Sequence, residues 1–230
     1  MDKLKKNIIV ADICNTLYDS NTTYDFIKFC VDNHKLPRYA KVAYSGVLSK
    51  ASPLFWAIAI GEKIVRKDIS KTLVVHFFRG CKVHEVKAWS EEFYNEYLKR
   101  RVIDPSFSIL KEYNLEDIVL VSSTLQPIAA TIAENLNISN FLATDLEVKD
   151  GRYTGKIINE LSGRKLTALK EKFIEGMDLE LVISDNFTDL ELMHHSRKRV
   201  AVCYNKKHEK FWSALPQVTI LNIPTPIVRI

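Results

Sequence analysis

Five stretches of the chain repeat one pattern: an apolar, β-rich run that closes on small or polar residues and opens into a loop or helix. They are NIIVADICNT, DIVLVSST, SNFLATDLEV, ELVISDNFTD and, from residue 199, RVAVCYN. The runs Ile8–Ala11, Ile118–Val121 and Leu181–Ile183 are continuously apolar, as strands covered on both faces are. They predict an α/β chain with a doubly wound parallel sheet and helices on both faces. In such a sheet ligands sit beyond the carboxyl ends of the strands, and Asp12, Ser122 and Asp185 each close a run. Three separate stretches therefore point to one site.

Between the first and second strands, residues 21–100 carry apolar positions at helical spacing, in TYDFIKFCVDNH and in HEVKAWSEEFYNEYLKRR. The segment is too long for a simple crossover and is expected to be a helical cap over the carboxyl end of the sheet. The core would then be residues 1–20 with 101–230. LEVKDGRYTGKI alternates about Asp150-Gly151 and predicts a hairpin with a type I′ turn. The run LFWAIAI at 54–60 is far shorter than the roughly 20 residues that span a bilayer. It is expected to be a buried cap helix. The alternative is an apolar lid, with Phe55 and Trp56 beside Lys63, Arg66 and Lys67, that approaches a lipidic or membrane-surface substrate.

Composition narrows the class. With 230 residues, 47% hydrophobic and 27% charged, the chain is an ordinary globular protein with one large core or a core and an inserted domain. The net charge of +5, from 33 basic and 28 acidic residues, is spread without the Lys/Arg stripe of a nucleic-acid binder. Cys14, Cys30, Cys81 and Cys203 show no CxxC spacing and read as reduced thiols, so the expected location is the cytoplasm. The start, MDKLKKNIIVADI, has too short an apolar run for a secretion signal. His34, His76, His84 and His208 are too scattered for a zinc site, and His194 and His195 read as surface or packing residues. The oligomeric state is not legible.

Four motifs in order resemble those of the haloacid dehalogenase superfamily, in particular its phosphoserine-phosphatase-like branch. The first is Asp12-Ile13-Cys14-Asn15-Thr16-Leu17, the second Ser122 in VLVSST, the third Lys165 in SGRKLTALKEKF with Lys170 as the weaker option, and the fourth Asp185 and Asp189 in SDNFTDLELM. The resemblance covers most of the chain and implies a Rossmann-like core with a cap after the first strand. It also implies Mg²⁺-dependent hydrolysis of a phosphorylated small molecule. Asp12 would be the nucleophile that forms an acyl phosphate. Asp12, Asp185 and the backbone carbonyl of Cys14 would hold the metal, with Asp189 close behind. Ser122, Ser123, Lys165 and Thr16 would face the phosphoryl group or support its loop. A carboxylate nucleophile splits one hard hydrolysis into two easier displacements, and Mg²⁺ with fixed cations offsets the charge.

Position 14 departs from the family pattern. The family's phosphatases have a second Asp there, which protonates the leaving oxygen and then activates water; a thiol with an ordinary pKa near 8.5 replaces it poorly. Four explanations stay open. An acid/base group is borrowed from the cap or the substrate, or the chemistry differs as in dehalogenases and phosphonatases, which lack the second Asp. Otherwise the protein binds phosphate without turnover, or the Cys was introduced. The dehalogenases need no metal, so the Asp185/Asp189 pair fits them less well. A Cys14 nucleophile would need a cationic neighbour to lower its pKa.

Overall fold

The computed structural model describes residues 7–65, 68–173 and 178–224. Seven strands form one sheet in the order β4-β3-β2-β1-β5-β6-β7. They are β1 (Asn7–Ala11), β2 (Ile118–Leu125), β3 (Asn140–Lys149), β4 (Arg152–Asn159), β5 (Asp178–Ser184), β6 (Ser196–Cys203) and β7 (Val218–Asn222). The helices are α1 (Thr22–Asp32), α2 (Tyr39–Leu48), α3 (Pro53–Val65), α4 (Ile69–Val75), α5 (Val83–Glu96), α6 (Asp104–Leu110), α7 (Gln126–Leu136), α8 (Lys165–Phe173), α9 (Leu190–His194) and α10 (Lys206–Trp212).

All neighbouring strands pair in parallel except β3 with β4. That antiparallel pair is the expected hairpin, and Asp150 and Gly151 both have positive φ, 51° and 70°, as a type I′ turn requires. The five expected strands are present. β7 was not among them, because VTILN is short, half-exposed and at the sheet edge, where the apolar signal is weakest.

β1 is central, and the chain leaves it first toward β2 and later returns to its other side as β5. Its carboxyl end is therefore a topological switch point, where a crevice opens between diverging connections. Ala11 is in register with Leu120 of β2 and Ile183 of β5, so the residues that follow on all three strands meet there.

Two buried clusters cover the sheet. One, with Ile8, Val10, Val119, Val182, Leu169 and Trp212, lies under α8 to α10. The other runs from Ile9, Ala11 and Ile183 into the inserted helices without a break. Its centre is aromatic: the ring of Phe26 on α1 lies 5.7 Å from Phe78 and 5.4 Å from Phe93 on α5. Truncation of a buried Phe of this kind typically costs about 3–5 kcal/mol.

Residues 21–100 are helical as expected, but their packing is uneven. α5 lies on α7 of the core, where Ser90 and Thr131 hydroxyls meet at 2.8 Å and Lys87 pairs with Glu134. α4 reaches the sheet through Lys71, described below. α3 corrects the expectation of a buried helix. Ile58 alone among its described side chains is buried, while Leu54, Trp56, Ile60, Ile64 and Val65 are exposed. Arg66 and Lys67 lie outside the described residues. No described helix is long and apolar enough to cross a membrane. All four cysteines are unpaired.

Candidate active site

β1 ends at Ala11, and the next residue, Asp12, still donates its backbone N–H to Ile183 of β5 at 3.0 Å. The strand thus delivers Asp12, only 4% exposed, to the middle of the switch point. The chain then turns tightly. Leu17 N–H returns to the Ile13 carbonyl, and Asn15 takes a positive φ of 51°, which Asn tolerates better than most residues. The Asn15 carbonyl accepts a 2.7 Å hydrogen bond from the Tyr204 hydroxyl, which ties the loop to the residue just after β6.

One Asp12 carboxylate oxygen accepts the Ile13 N–H at 2.7 Å, and the other meets the ammonium of Lys165 at 2.9 Å. Lys165 opens α8 and is 3% exposed; it also meets Asp189 at 2.7 Å. Lys170, the weaker option, is exposed. Asp189 is further held by the Ser184 hydroxyl at 2.6 Å, while its second oxygen, buried, has no hydrogen-bond partner. Burial works against the charge of Lys165, but the two carboxylates outweigh it and raise its pKa. For Asp12, burial dominates over the Lys165 attraction and raises the pKa.

Asp185 follows β5 and is half-buried. Its carboxyl is pushed up to about 8, first by burial and then by the charge of Asp12. Thr16 is fully buried, and its hydroxyl joins both the carboxylate and the backbone N–H of Asp185, at 3.2 and 3.0 Å. Thr16, expected to face the phosphoryl group or support its loop, holds Asp185 through both bonds.

Ser122 is fully buried, and its hydroxyl approaches Asp12 as well as the Cys14 sulfur, at 3.8 Å from the latter. Ser123 is half-buried, and its backbone carbonyl carries Lys71. Cys14 is half-buried, with its sulfur 2.9 Å from the Thr22 hydroxyl, which in turn donates to Thr124 at 2.6 Å. Burial, and then the charge of Asp12, push the Cys14 thiol up, so it stays protonated at neutral pH. A thiolate nucleophile at this position is thereby disfavoured. His194 and His195 are exposed, as expected of surface residues.

Asp12, Cys14, Ser122, Lys165, Asp185 and Asp189 thus converge, with Thr16 bonded to Asp185, while Ser123 is tied through its carbonyl to Lys71 and Thr144. The sequence reading missed Thr22 and Thr124, which carry the thiol, and Ser184, which carries Asp189. It also missed Lys71, whose ammonium binds the Ser123 carbonyl at 2.6 Å, Thr144 at 3.1 Å and Glu160 at 2.8 Å. No local signal marks these residues, although Ser184 directly precedes Asp185. A cleft of about 640 Å³ lined by Asp19, Tyr97, Arg101, Asp104 and Asn222 contains none of the clustered residues.

The carboxylates of Asp12 and Asp185 and the backbone carbonyl of Cys14 would be an all-oxygen donor set. Among the described residues no three His, Cys, Asp or Glu side chains come together as a group that could hold a metal ion by themselves. Mg²⁺ does not need one, since it keeps several waters beside one or two carboxylates. The charge of Asp12 raises the proton affinity of Asp185, that of Asp189 raises the proton affinity of Asp12, and an Asp189 oxygen is unpartnered, so negative charge exceeds what Lys165 offsets. The residues fit such a cation.

The sequence pattern of the haloacid dehalogenase-like hydrolases matches residues 9–194. The chain belongs to that family. A Mycobacterium tuberculosis relative named phosphoserine phosphatase SerB1 is 28% identical over 134 residues, 55% of this hydrolase and 43% of the relative's own length. The hydrolase therefore spans less than half of that relative. A Bordetella pertussis protein of unknown function shares the fold at a TM-score of 0.67 and 20% identity, covering 93% of this chain and 98% of its own. A phosphoserine phosphatase in apo form aligns over 96% of both chains at a TM-score of 0.57 and 18% identity.

Proposed function

We propose that this hydrolase is a Mg²⁺-assisted phosphatase of a small phosphomonoester that works through an acyl phosphate on Asp12. The observation that carries the reading is the buried Asp12–Lys165–Asp189 bridge at the carboxyl end of β1. A carboxylate held by one cation, with its nucleophilic oxygen fixed, is ready to attack without an entropic search. An Asp12 oxygen would form a bond to phosphorus while the bond from phosphorus to the leaving oxygen breaks. That oxygen takes the electron pair and a proton from solvent water, and the second step returns that proton. Water then attacks the acyl phosphate, releasing inorganic phosphate and restoring the carboxylate.

Lys165 would favour the ionised form of Asp12 against the effect of burial and counter the charge gathering on the phosphoryl oxygens. Ser122, whose hydroxyl approaches Asp12, and its neighbour Ser123 would donate to those oxygens. Asp12, Asp185 and the Cys14 carbonyl would hold Mg²⁺, with Asp189 keeping Lys165 in place. Mg²⁺ supplies charge neutralisation and orientation of the transferring group. Helices α1 to α4 would serve as the cap, anchored at the Ser123 carbonyl by Lys71. The names of the phosphoserine phosphatase relative and neighbour support the phosphomonoester class. The unpaired thiols suit a cytoplasmic setting.

Cys14 favours one second reading, a protein that holds phosphate with little or no turnover, because a neutral thiol tied to Thr22 cannot serve as acid and base. The test is a screen of phosphomonoesters with Mg²⁺ on the natural chain, Cys14→Asp and Asp12→Asn. Cys14→Asp is expected to gain about 10²–10⁴-fold, and Asp12→Asn to abolish release of phosphate. No turnover by the natural chain or Cys14→Asp, together with binding of a beryllium fluoride mimic, would establish the second reading.

A further inference from the structure

We propose that the outer face of α2 and α3 docks the protein onto an anionic membrane surface. This goes beyond the phosphatase reading and does not depend on it. On an ordinary surface helix the apolar stripe faces the core, and α3 is inverted. At 3.6 residues per turn Pro53, Trp56, Ala57, Ile60 and Ile64 share one stripe. Along it Trp56 is 57%, Ile60 61% and Ile64 78% exposed. The acidic residue of the helix, Glu62, faces the other way and accepts the backbone N–H of Ser70 at 2.8 Å. On the neighbouring α2, Val42 is 77% and Tyr39 58% exposed. Patches of this kind on a monomer mark an interaction site.

Charge and hydrogen bonding indicate the occupant. Residues 38–65 hold Arg38, Lys41, Lys50 and Lys63 against Glu62 alone, and all four cations are exposed. An apolar helix face rimmed by cations is the pattern that lies in the interface of an anionic bilayer. Trp56 donates its indole N–H to the Lys50 carbonyl at 2.9 Å, so the ring can leave water without an unmet donor. A second copy of the chain fits poorly, because a twofold contact through this face would set its cations against their own images.

The test is flotation with vesicles of phosphatidylcholine alone and vesicles with about one third phosphatidylglycerol. The natural chain is expected to bind the anionic vesicles at least about tenfold more tightly, and less so as salt rises. The variant Trp56→Ser/Ile60→Ser/Ile64→Ser is expected to lose about 10²-fold in affinity. Its melting curve and its hydrolysis of a soluble phosphomonoester should not change, since these side chains are exposed and absent from the Asp12 cluster. A second variant, Lys41→Glu/Lys63→Glu, is expected to lose about tenfold on anionic vesicles alone. No association by the natural chain at low salt, or equal binding by the triple variant, overturns the proposal. So does a dimer in sedimentation velocity that the triple variant dissociates, which would make the face an interface between copies.

Discussion

The Asp12 cluster and the α2–α3 hairpin break the same rule in opposite directions. At the cluster, Asp12, Lys165 and Asp189 are charged and almost without exposure; on the hairpin, Trp56, Ile60 and Ile64 are apolar and more than half exposed. Buried charge costs several kcal/mol per ion unless paired, and exposed apolar area forgoes about 25 cal/mol per Å². The cluster offsets its cost internally, through Lys165 between two carboxylates and through Ser184 and Thr16. The hairpin has no such internal offset. The comparison teaches that the first region offsets most of its charge inside the folded chain and leaves only a residual negative charge for a cation, whereas the apolar face of the second gains only from something outside it.

The largest expected effect breaks the cluster from within. Lys165→Met leaves two buried carboxylates with no cation between them and should cost about 3–5 kcal/mol of stability at pH 7 in urea titrations. A cost under about 1 kcal/mol would mean that the bridge behaves like a surface pair.

The next effect is a pH dependence. The Asp185 carboxyl goes from an ordinary 3.8 to about 8 in the fold. A raised pKa means that the folded state holds the proton more tightly. This contribution is therefore fully present below about pH 4 and is lost as pH rises through about 8, a change of about 1–3 kcal/mol after discounting for the coupling to Asp12. Metal-free protein should lose that stability between those limits, and Asp185→Asn should flatten the loss. Mg²⁺ at a hundredfold excess over its Kd should restore about 2.7 kcal/mol at pH 8 in the natural chain but less in Asp185→Asn. Thermal melts across pH with and without Mg²⁺ measure both.

The smallest effect sharpens the other side. Ile60→Ser and Ile64→Ser should each change stability by no more than about 0.5 kcal/mol, as exposed substitutions do, whereas Phe26→Ala in the buried cluster should cost about 3–5 kcal/mol. Chemical denaturation of the three variants distinguishes them.

The two regions were not equally legible in the sequence. The strands were, because a strand buried on both faces must be apolar along its length, and the polar residue that ends it stands out. Asp12, Ser122 and Asp185 were visible for that reason. Lys71 was not, since its partners Ser123, Thr144 and Glu160 are brought to it by the fold from more than fifty residues away. Thr22 and Thr124 escaped for the same reason. The α3 segment was legible as an apolar helix but not in its orientation. A helix apolar on most sides reads the same whether the fold buries it or leaves it facing outward, and only neighbours such as Ile69 and Ser70 decide. Thr16 shows the converse limit: the motif names the residue, while its bonds to Asp185 decide what it supports.

The central claim is that Asp12 takes the phosphoryl group. A poor base at Cys14 should slow the second step more than the first, so the acyl phosphate should accumulate. The direct measurement is mass spectrometry of acid-quenched protein after incubation with Mg²⁺ and a phosphomonoester that the chain hydrolyses. One phosphoryl group on the peptide that contains Asp12, absent in Asp12→Asn and diminished at steady state in Cys14→Asp, is the predicted result. Phosphate release by the Asp12→Asn protein, or an adduct on another residue, would contradict it.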